Sequence, residues 1–245
     1  MDSLLVERYT PVIANLLDLH NYVFISGRQM TAMLATNVDE VTRFKNCWSH
    51  LELDRFMADG GMYRHRRYGQ YLKHIDSTKL TLLPHQAFVQ SLEVNSLNGG
   101  MDRHFAPLTK VFMTSPILDK LLLMMSNIFD WCEGRPSDWI IGVHPQRIVA
   151  DGAKKGLPTP EGLHRNGVTY LASIVMRRNN ITGGETRITD AKKKTLECLV
   201  LDQPLDMVLA NDNRTLHEVS PITSVCQERC AYRDVLVVTF TKMEN

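Results

Sequence analysis

From residue 168 to the C-terminus the chain is a succession of short β-prone runs cut by turn signals, and no other feature restricts the fold as much. The runs are 168–176, 186–189, 195–201, 207–210, 216–219 and 235–240. Gly183 and Gly184, the Asp202-Gln203-Pro204 triplet and the Asn211-Asp212-Asn213 triplet punctuate them. β-Branched and apolar residues suit a pleated, half-buried backbone, while Gly, Asn, Asp and Pro supply the conformations that reverse it. Many short strands at such spacing bury their apolar faces against one another, which argues for a β-sandwich or barrel. No linker, repeat or low-complexity segment divides the chain, so residues 1–245 are read as a single domain with room for a sizeable core.

The N-terminal half reads differently. Leu5, Val12, Leu16 and Leu19 recur at helical spacing, and residues 22–25 follow as a short strand. Met33, Leu34, Val38, Val41 and Phe44 lay one apolar stripe along 30–51, which predicts a second helix. Residues 107–132 are long and apolar, but Pro116 lacks an N–H and interrupts them, giving two helices or one that starts near Ile117. These helices are expected to pack on the outside of a sheet. After Gly60 and Gly61, residues 62–71 alternate Tyr and Arg as a half-exposed strand does. Residues 139–149 resume strand character, with His144, Gln146 and Ile148 on one face and Arg147 on the other beside Val143 and Val149.

Charge narrows the function. A net charge of +1 gives no general basic face for nucleic acid or a membrane surface. Cys47, Cys132, Cys198, Cys226 and Cys230 are an odd, irregular set that reads as reduced thiols rather than a disulfide framework. The first residues carry acids and no uninterrupted apolar run, so no signal peptide is expected, and no apolar segment reaches membrane-spanning length. The expected setting is cytoplasmic.

The chemistry concentrates in residues 157–168. A Pro-rich approach delivers His164, and Asn166 follows two residues later, on the same side of an extended backbone. His217 lies in a second strand-like setting further on. His-x-carboxylate plus a distant His is the facial triad that holds non-haem Fe(II) and leaves positions open for a cosubstrate and oxygen. Here the carboxylate place holds Asn166. Taken singly, each histidine is more often structural, and Asn166-Gly167 by itself is a strong turn signal.

Further stretches stand in order around this pair. They are Pro160-Glu161-Gly162-Leu163-His164, then Arg177 to Thr186 with Gly183 and Gly184, then Leu216 to Ile222, and Tyr232-Arg233-Asp234 opening a β-branched strand. A weaker match is Tyr63 to Gly69. In this ordered set the chain from Arg147 onward resembles the 2-oxoglutarate- and Fe(II)-dependent dioxygenases that hydroxylate free amino acids, the bacterial isoleucine dioxygenase type.

The resemblance implies an α+β fold with a mainly β core, a double-stranded β-helix (jelly roll) with the N-terminal helices packed outside. It implies Fe(II) and 2-oxoglutarate as cofactors, molecular oxygen as oxidant and a free, aliphatic amino acid as substrate. By the same resemblance His164 and His217 are iron ligands, Asn166 stands at the third ligand place, and Arg233 grips the far carboxylate of 2-oxoglutarate. A guanidinium fork suits that bidentate contact. The alternatives for Arg233 are an ion pair with Asp234 or Glu228, with Arg229 taking over its role. Tyr63, Arg64, Arg66 and Glu161 are candidate substrate contacts, against a reading of the Tyr/Arg strand as a solvated face. Asn166 admits three readings: a natural variation at the ligand place, an engineered change that stops turnover, or a turn residue. Two other functions stay open beside the hydroxylase, a non-catalytic binding protein on the same fold and an oxidative halogenation.

Overall fold

The structure is a computed structural model and describes residues 3–95 and 97–244. It opens with α1 (Ser3–His20), β1 (Tyr22–Ile25), α2 (Gly27–Met33) and α3 (Val38–Asn46). The single helix expected over 30–51 is thus two helices followed by a short 3₁₀ turn over Cys47–His50. The break has a local cause. Ala35 adopts φ 43°, and the Asn37 side chain accepts from the Glu40 N–H to start α3 afresh. Asp39 and Glu40 in the first turn and Arg43 and Lys45 in the last then complement the helix dipole.

Next come β2 (Glu52–Leu53), β3 (Arg64–Arg66), β4 (Gly69–Lys73), β5 (Leu80–Leu82), α4 (Lys110–Met113) and α5 (Pro116–Cys132). Pro116 sits at the start of α5, where its missing N–H costs nothing. The long β6 (Trp139–Ala150) leads to β7 (Tyr170–Asn179), β8 (Ile181–Gly183), β9 (Glu185–Asp190) and β10 (Thr195–Val200). The chain finishes with β11 (Met207–Asn211), β12 (Thr215–Val219), β13 (Ile222–Ser224) and β14 (Ala231–Lys242). All the paired strands are antiparallel, as expected of a jelly roll.

A large sheet runs β1-β11-β7-β14-β6-β3-β2, with β4 and β5 attached to β6. Its outer face is apolar and carries the helices. Ile141, Val143, Ile174, Leu209, Leu236 and Phe240 pack there against Leu17 of α1, Met30 of α2, Phe44 of α3 and Leu118 and Leu122 of α5. The inner face meets a small sheet, β10-β9-β12, through Val175, Ile188, Leu201 and Val208. Away from that apolar patch the inner face is polar, and the site lies there. One irregularity matters. A bulge in the β7–β14 ladder between Asp234 and Val235 lets Arg178 stand opposite Arg233 on the inner face, while Asp234 points outward to Arg147. Among the described residues, no helix is long and apolar enough to cross a membrane.

Candidate active site

Side chains two apart on a strand share a face, and residues directly opposite in the ladder share it too. The register pairs Arg64 with Ile148 and Arg66 with Gln146, then Gln146 with Val235, His144 with Val237 and Gly142 with Thr239. This row forms one wall of a cavity. The small sheet brings His217 of β12 to the opposite wall, and the link between β6 and β7 brings Glu161, His164 and Asn166.

The two histidines are fixed to each other by backbone. The His164 N–H donates to the His217 carbonyl at 3.1 Å, and the His217 N–H donates to the His164 carbonyl at 2.8 Å. Their ring centroids are 4.5 Å apart. The Asn166 carboxamide joins them, Nδ2 donating to His217 Nε2 at 3.3 Å. Asp212, from the turn between β11 and β12, holds this corner. It accepts the Asn166 N–H on both oxygens, at 3.0 and 2.9 Å, and the Val168 N–H at 3.0 Å. Burial pushes the Asp212 carboxyl above its ordinary range, although these backbone donors favour its charged form. Gly167 completes the turn at φ +75°, where a Cβ would stand 2.7 Å from Val94.

The donor set fits a divalent metal. His164 Nδ1–H donates to the Gly162 carbonyl at 2.9 Å, which leaves the Nε2 lone pair directed at the cavity. Burial, reinforced by His164, drives the His217 pKa well below the usual imidazole range, so the neutral, ligating form is the resident one. Two imidazole nitrogens and a carboxamide oxygen are acceptable Fe(II) ligands, but the set carries no charge. Among the described residues, no three His, Cys, Asp or Glu side chains stand at metal-binding spacing, for the third side chain here is Asn166.

Deeper along the inner face lies a cationic end. Arg233 is buried, and its Nε and Nη2 have no hydrogen-bond partner among the described residues. The same holds for Arg178 Nη1 and for the Thr186 hydroxyl on β9. Burial, followed by Arg178, pulls the Arg233 pKa down to about 10. Orphaned donors of this kind are costly unless a ligand satisfies them, and the two free N–H groups of a guanidinium fork fit a carboxylate. Gly184 makes the pair possible. At φ +73°, a Cβ there would stand 2.9 Å from Arg178 Nη1 and 3.5 Å from Arg233 Cδ. The ion pair with Asp234 does not form, because Asp234 is taken bidentately by Arg147 at 2.6 and 2.8 Å. Arg229 is exposed and lines a separate surface groove.

Glu161, Arg64 and Arg66 all line the cavity that holds His164, Asn166 and His217. Tyr63 does not, and its grouping with them is corrected here. It lines the surface groove, and its hydroxyl donates to Asp59. The reason is strand alternation: Arg64 and Arg66 face one side, so Tyr63 faces the other. The structure also adds residues that sequence patterns passed over. Arg103 lies in a segment without periodicity and Asp212 sits in what reads as simple turn punctuation, while Arg178 and Thr186 lie within the Arg177 to Thr186 stretch of the resemblance but have no role assigned there.

With this geometry in view, comparison with known proteins is specific. A sequence profile of the 2OG-Fe dioxygenase family matches residues 45–239. An L-isoleucine-4-hydroxylase of Bacillus thuringiensis is 26% identical over 94% of this chain and 91% of its own length. A 3(1)-hydroxy-L-isoleucine 4-dioxygenase of Pantoea ananatis is 25% identical over 94% and 95%. Among solved structures, a bsmA homolog from Methylobium petroleophilum PM1 superposes with a TM-score of 0.87 at 30% identity, over 95% of this chain and 92% of that one.

Proposed function

The chain belongs to the 2OG-Fe dioxygenase family, and from that premise we propose that it hydroxylates a free, aliphatic amino acid at an unactivated C–H bond. Family membership makes it an oxidoreductase that depends on Fe(II) and 2-oxoglutarate. In the overall reaction one oxygen atom of O₂ enters the substrate as hydroxyl and the other enters succinate, while C1 of 2-oxoglutarate leaves as CO₂. The amino-acid substrate is supported by two relatives of nearly equal length whose names specify isoleucine or its hydroxylated form.

His164 and His217 are the proposed iron ligands, with Asn166 at the third place. Arg233, aided by Thr186, takes the distal carboxylate of 2-oxoglutarate, and Arg64, Arg66 and Glu161 face the substrate. When bound, iron and 2-oxoglutarate supply the oxidising chemistry. The chain's own contribution is orientation and charge. The backbone bridge between His164 and His217 fixes both rings, Gly162 sets the His164 tautomer, and Asp212 holds Asn166 against His217. Because a carboxamide brings no negative charge, turnover is expected to be lower than with a carboxylate in the same place. Five unpaired cysteines support a cytoplasmic setting.

The observation that carries this reading is the convergence of two imidazoles and several unsatisfied buried cations on the polar inner face of one jelly roll. The test is succinate formation from 2-oxoglutarate with Fe(II) and each amino acid in turn. Succinate that rises with one or a few aliphatic amino acids is the expected result. Equal, substrate-independent rates across the panel, or none with any member, refute it.

A further inference from the structure

Three buried arginines face the substrate end of the cavity, and their partners do not balance them. Arg64 Nε donates to Asp54 at 2.7 Å, which settles that pair. Arg66 is only 3.9 Å from the same carboxylate, and its Nη2 donates to His144 Nδ1 at 2.7 Å. Arg103 reaches no carboxylate within ion-pair distance among the described residues. Its Nη2 donates to the neutral Gln90 Oε1 at 2.7 Å. The Nε groups of Arg66 and Arg103 are buried without a partner. Both guanidiniums are held in place by aromatic faces, Arg66 3.9 Å from the Phe105 centroid and Arg103 4.7 Å from that of Phe88. The backbone is equally fixed, since Phe88 and Arg103 exchange N–H···O bonds at 2.9 and 3.2 Å.

An acid of complementary kind lies in the same cavity. Glu161 keeps Oε1 3.4 Å from His164 Nε2, while Oε2 is buried and has no hydrogen-bond partner. The cavity thus presents an unsatisfied carboxylate oxygen and two unsatisfied guanidinium N–H groups beside the candidate metal donors. Each is expensive to leave unpaired, and a ligand bearing both an anion and a cation would relieve all of them.

Resting on the amino-acid reading above, we infer that Arg103 and Arg66 receive the substrate's α-carboxylate and Glu161 its α-ammonium, so that the site selects free, zwitterionic amino acids. A chain blocked at either end would leave a buried charge unpaired. Arg103 is then a specificity-determining residue carried on the segment between β5 and α4, outside the jelly-roll core.

The test is calorimetric titration of the full chain, loaded with Ni(II) and 2-oxoglutarate so that no turnover intervenes. The ligands are L-isoleucine, L-leucine, N-acetyl-L-isoleucine and L-isoleucinamide. The free amino acids are expected to bind and the two blocked forms to bind at least about 30-fold more weakly, the usual scale for stranding one buried charge. Arg103→Met and Glu161→Gln should weaken the free amino acids to a similar degree and leave 2-oxoglutarate affinity, measured without amino acid, unchanged. Should Arg103→Met fail to fold, Arg103→Lys serves instead. It keeps the charge but not the fork, and should lose most of the affinity. If blocked and free forms bind alike, or the variants bind L-isoleucine as the wild type does, the clamp is wrong while the amino-acid reading stands. If Arg103→Met weakens 2-oxoglutarate instead, the arginine belongs to the cosubstrate and the clamp is wrong. If neither free amino acid binds the wild type and the substrate panel also yields no succinate, the amino-acid reading itself fails and the clamp falls with it.

Discussion

Replacing Asn166 by Asp exchanges one amide nitrogen for oxygen, with loss of its two hydrogens, and adds one negative charge at the point where both imidazoles converge. The Asn166 Nδ2 position is 3.3 Å from His217 Nε2, so a carboxylate oxygen placed there faces the same space as the imidazole lone pairs. Two unit charges about 4 Å apart contribute about 4 kcal/mol at an effective dielectric near 20, and a dication doubles this. Holding the carboxylate out of water costs several kcal/mol in return. About 3 kcal/mol should remain, a hundredfold or so in metal affinity. The backbone needs no adjustment, because Asp212 binds the main-chain N–H of residue 166 rather than its side chain.

The assay is paired. Titration with Co(II) or Ni(II) reads affinity without chemistry, and iron-dependent succinate formation reads turnover. Asn166→Asp is expected to tighten the metal about a hundredfold and to raise turnover. Without metal, the new carboxylate sits close to the Asp212 carboxylate that holds the same residue, so the apo variant should unfold at slightly lower denaturant. A change in metal affinity of less than about threefold, well below the scale argued above, would falsify the placement of Asn166 at the metal. Equal turnover in both proteins, with tighter metal in the variant, would show that charge governs loading but not chemistry.

Other perturbations test the supporting structure. Arg233→Ala should weaken 2-oxoglutarate binding by about 2–5 kcal/mol and leave metal affinity intact, and Arg233→Lys should recover little of it; an unaltered 2-oxoglutarate dissociation constant moves the carboxylate elsewhere. Asp212→Ala strands the half-buried N–H groups of Asn166 and Val168 and should destabilise the fold by roughly 2–4 kcal/mol in urea unfolding, with weaker metal binding; a loss under about 0.5 kcal/mol would mean that the turn holds itself. His144 is kept neutral by burial and by Arg66, Arg103 and Arg64, which lowers its pKa far below the ordinary value. The unfolded chain therefore binds a proton that the folded chain refuses, and stability should fall by about 1.4 kcal/mol per pH unit below roughly pH 6.5 on this account; His144→Gln should flatten that slope by the same amount, and an unchanged slope refutes the assignment.

What the sequence discloses, and what it hides, follows from the range of the interactions involved. The strand runs from 168 onward map onto β7, β9, β10, β11, β12 and β14 because a half-buried strand writes its period into a few adjacent residues. Pro116 and the start of α5 are legible for the same local reason. The break between α2 and α3 was legible too, in Asn37 followed by Asp39 and Glu40, but a continuous apolar stripe outweighs a cap signal when only periodicity is read. β8 and β13 are three residues each, paired with one another and too short to carry a period. The site divides in the same way. His164 and Asn166 are neighbours in sequence, and His217 follows from an ordered pattern, so the corner proposed for the metal could be read in advance as a grouping of residues. Arg103 could not, because its place beside Arg66 depends on a bridge to Phe88 and on packing across an aperiodic segment. Arg178 faces Arg233 only because a bulge shifts the β7 register by a residue, and strand alternation alone would have turned one of them outward. The charges that line this cavity are therefore placed by tertiary register, while the atoms proposed to hold the metal are set by local spacing. A homologous chain could change substrate through the segment between β5 and α4 and leave every residue of the metal corner in place.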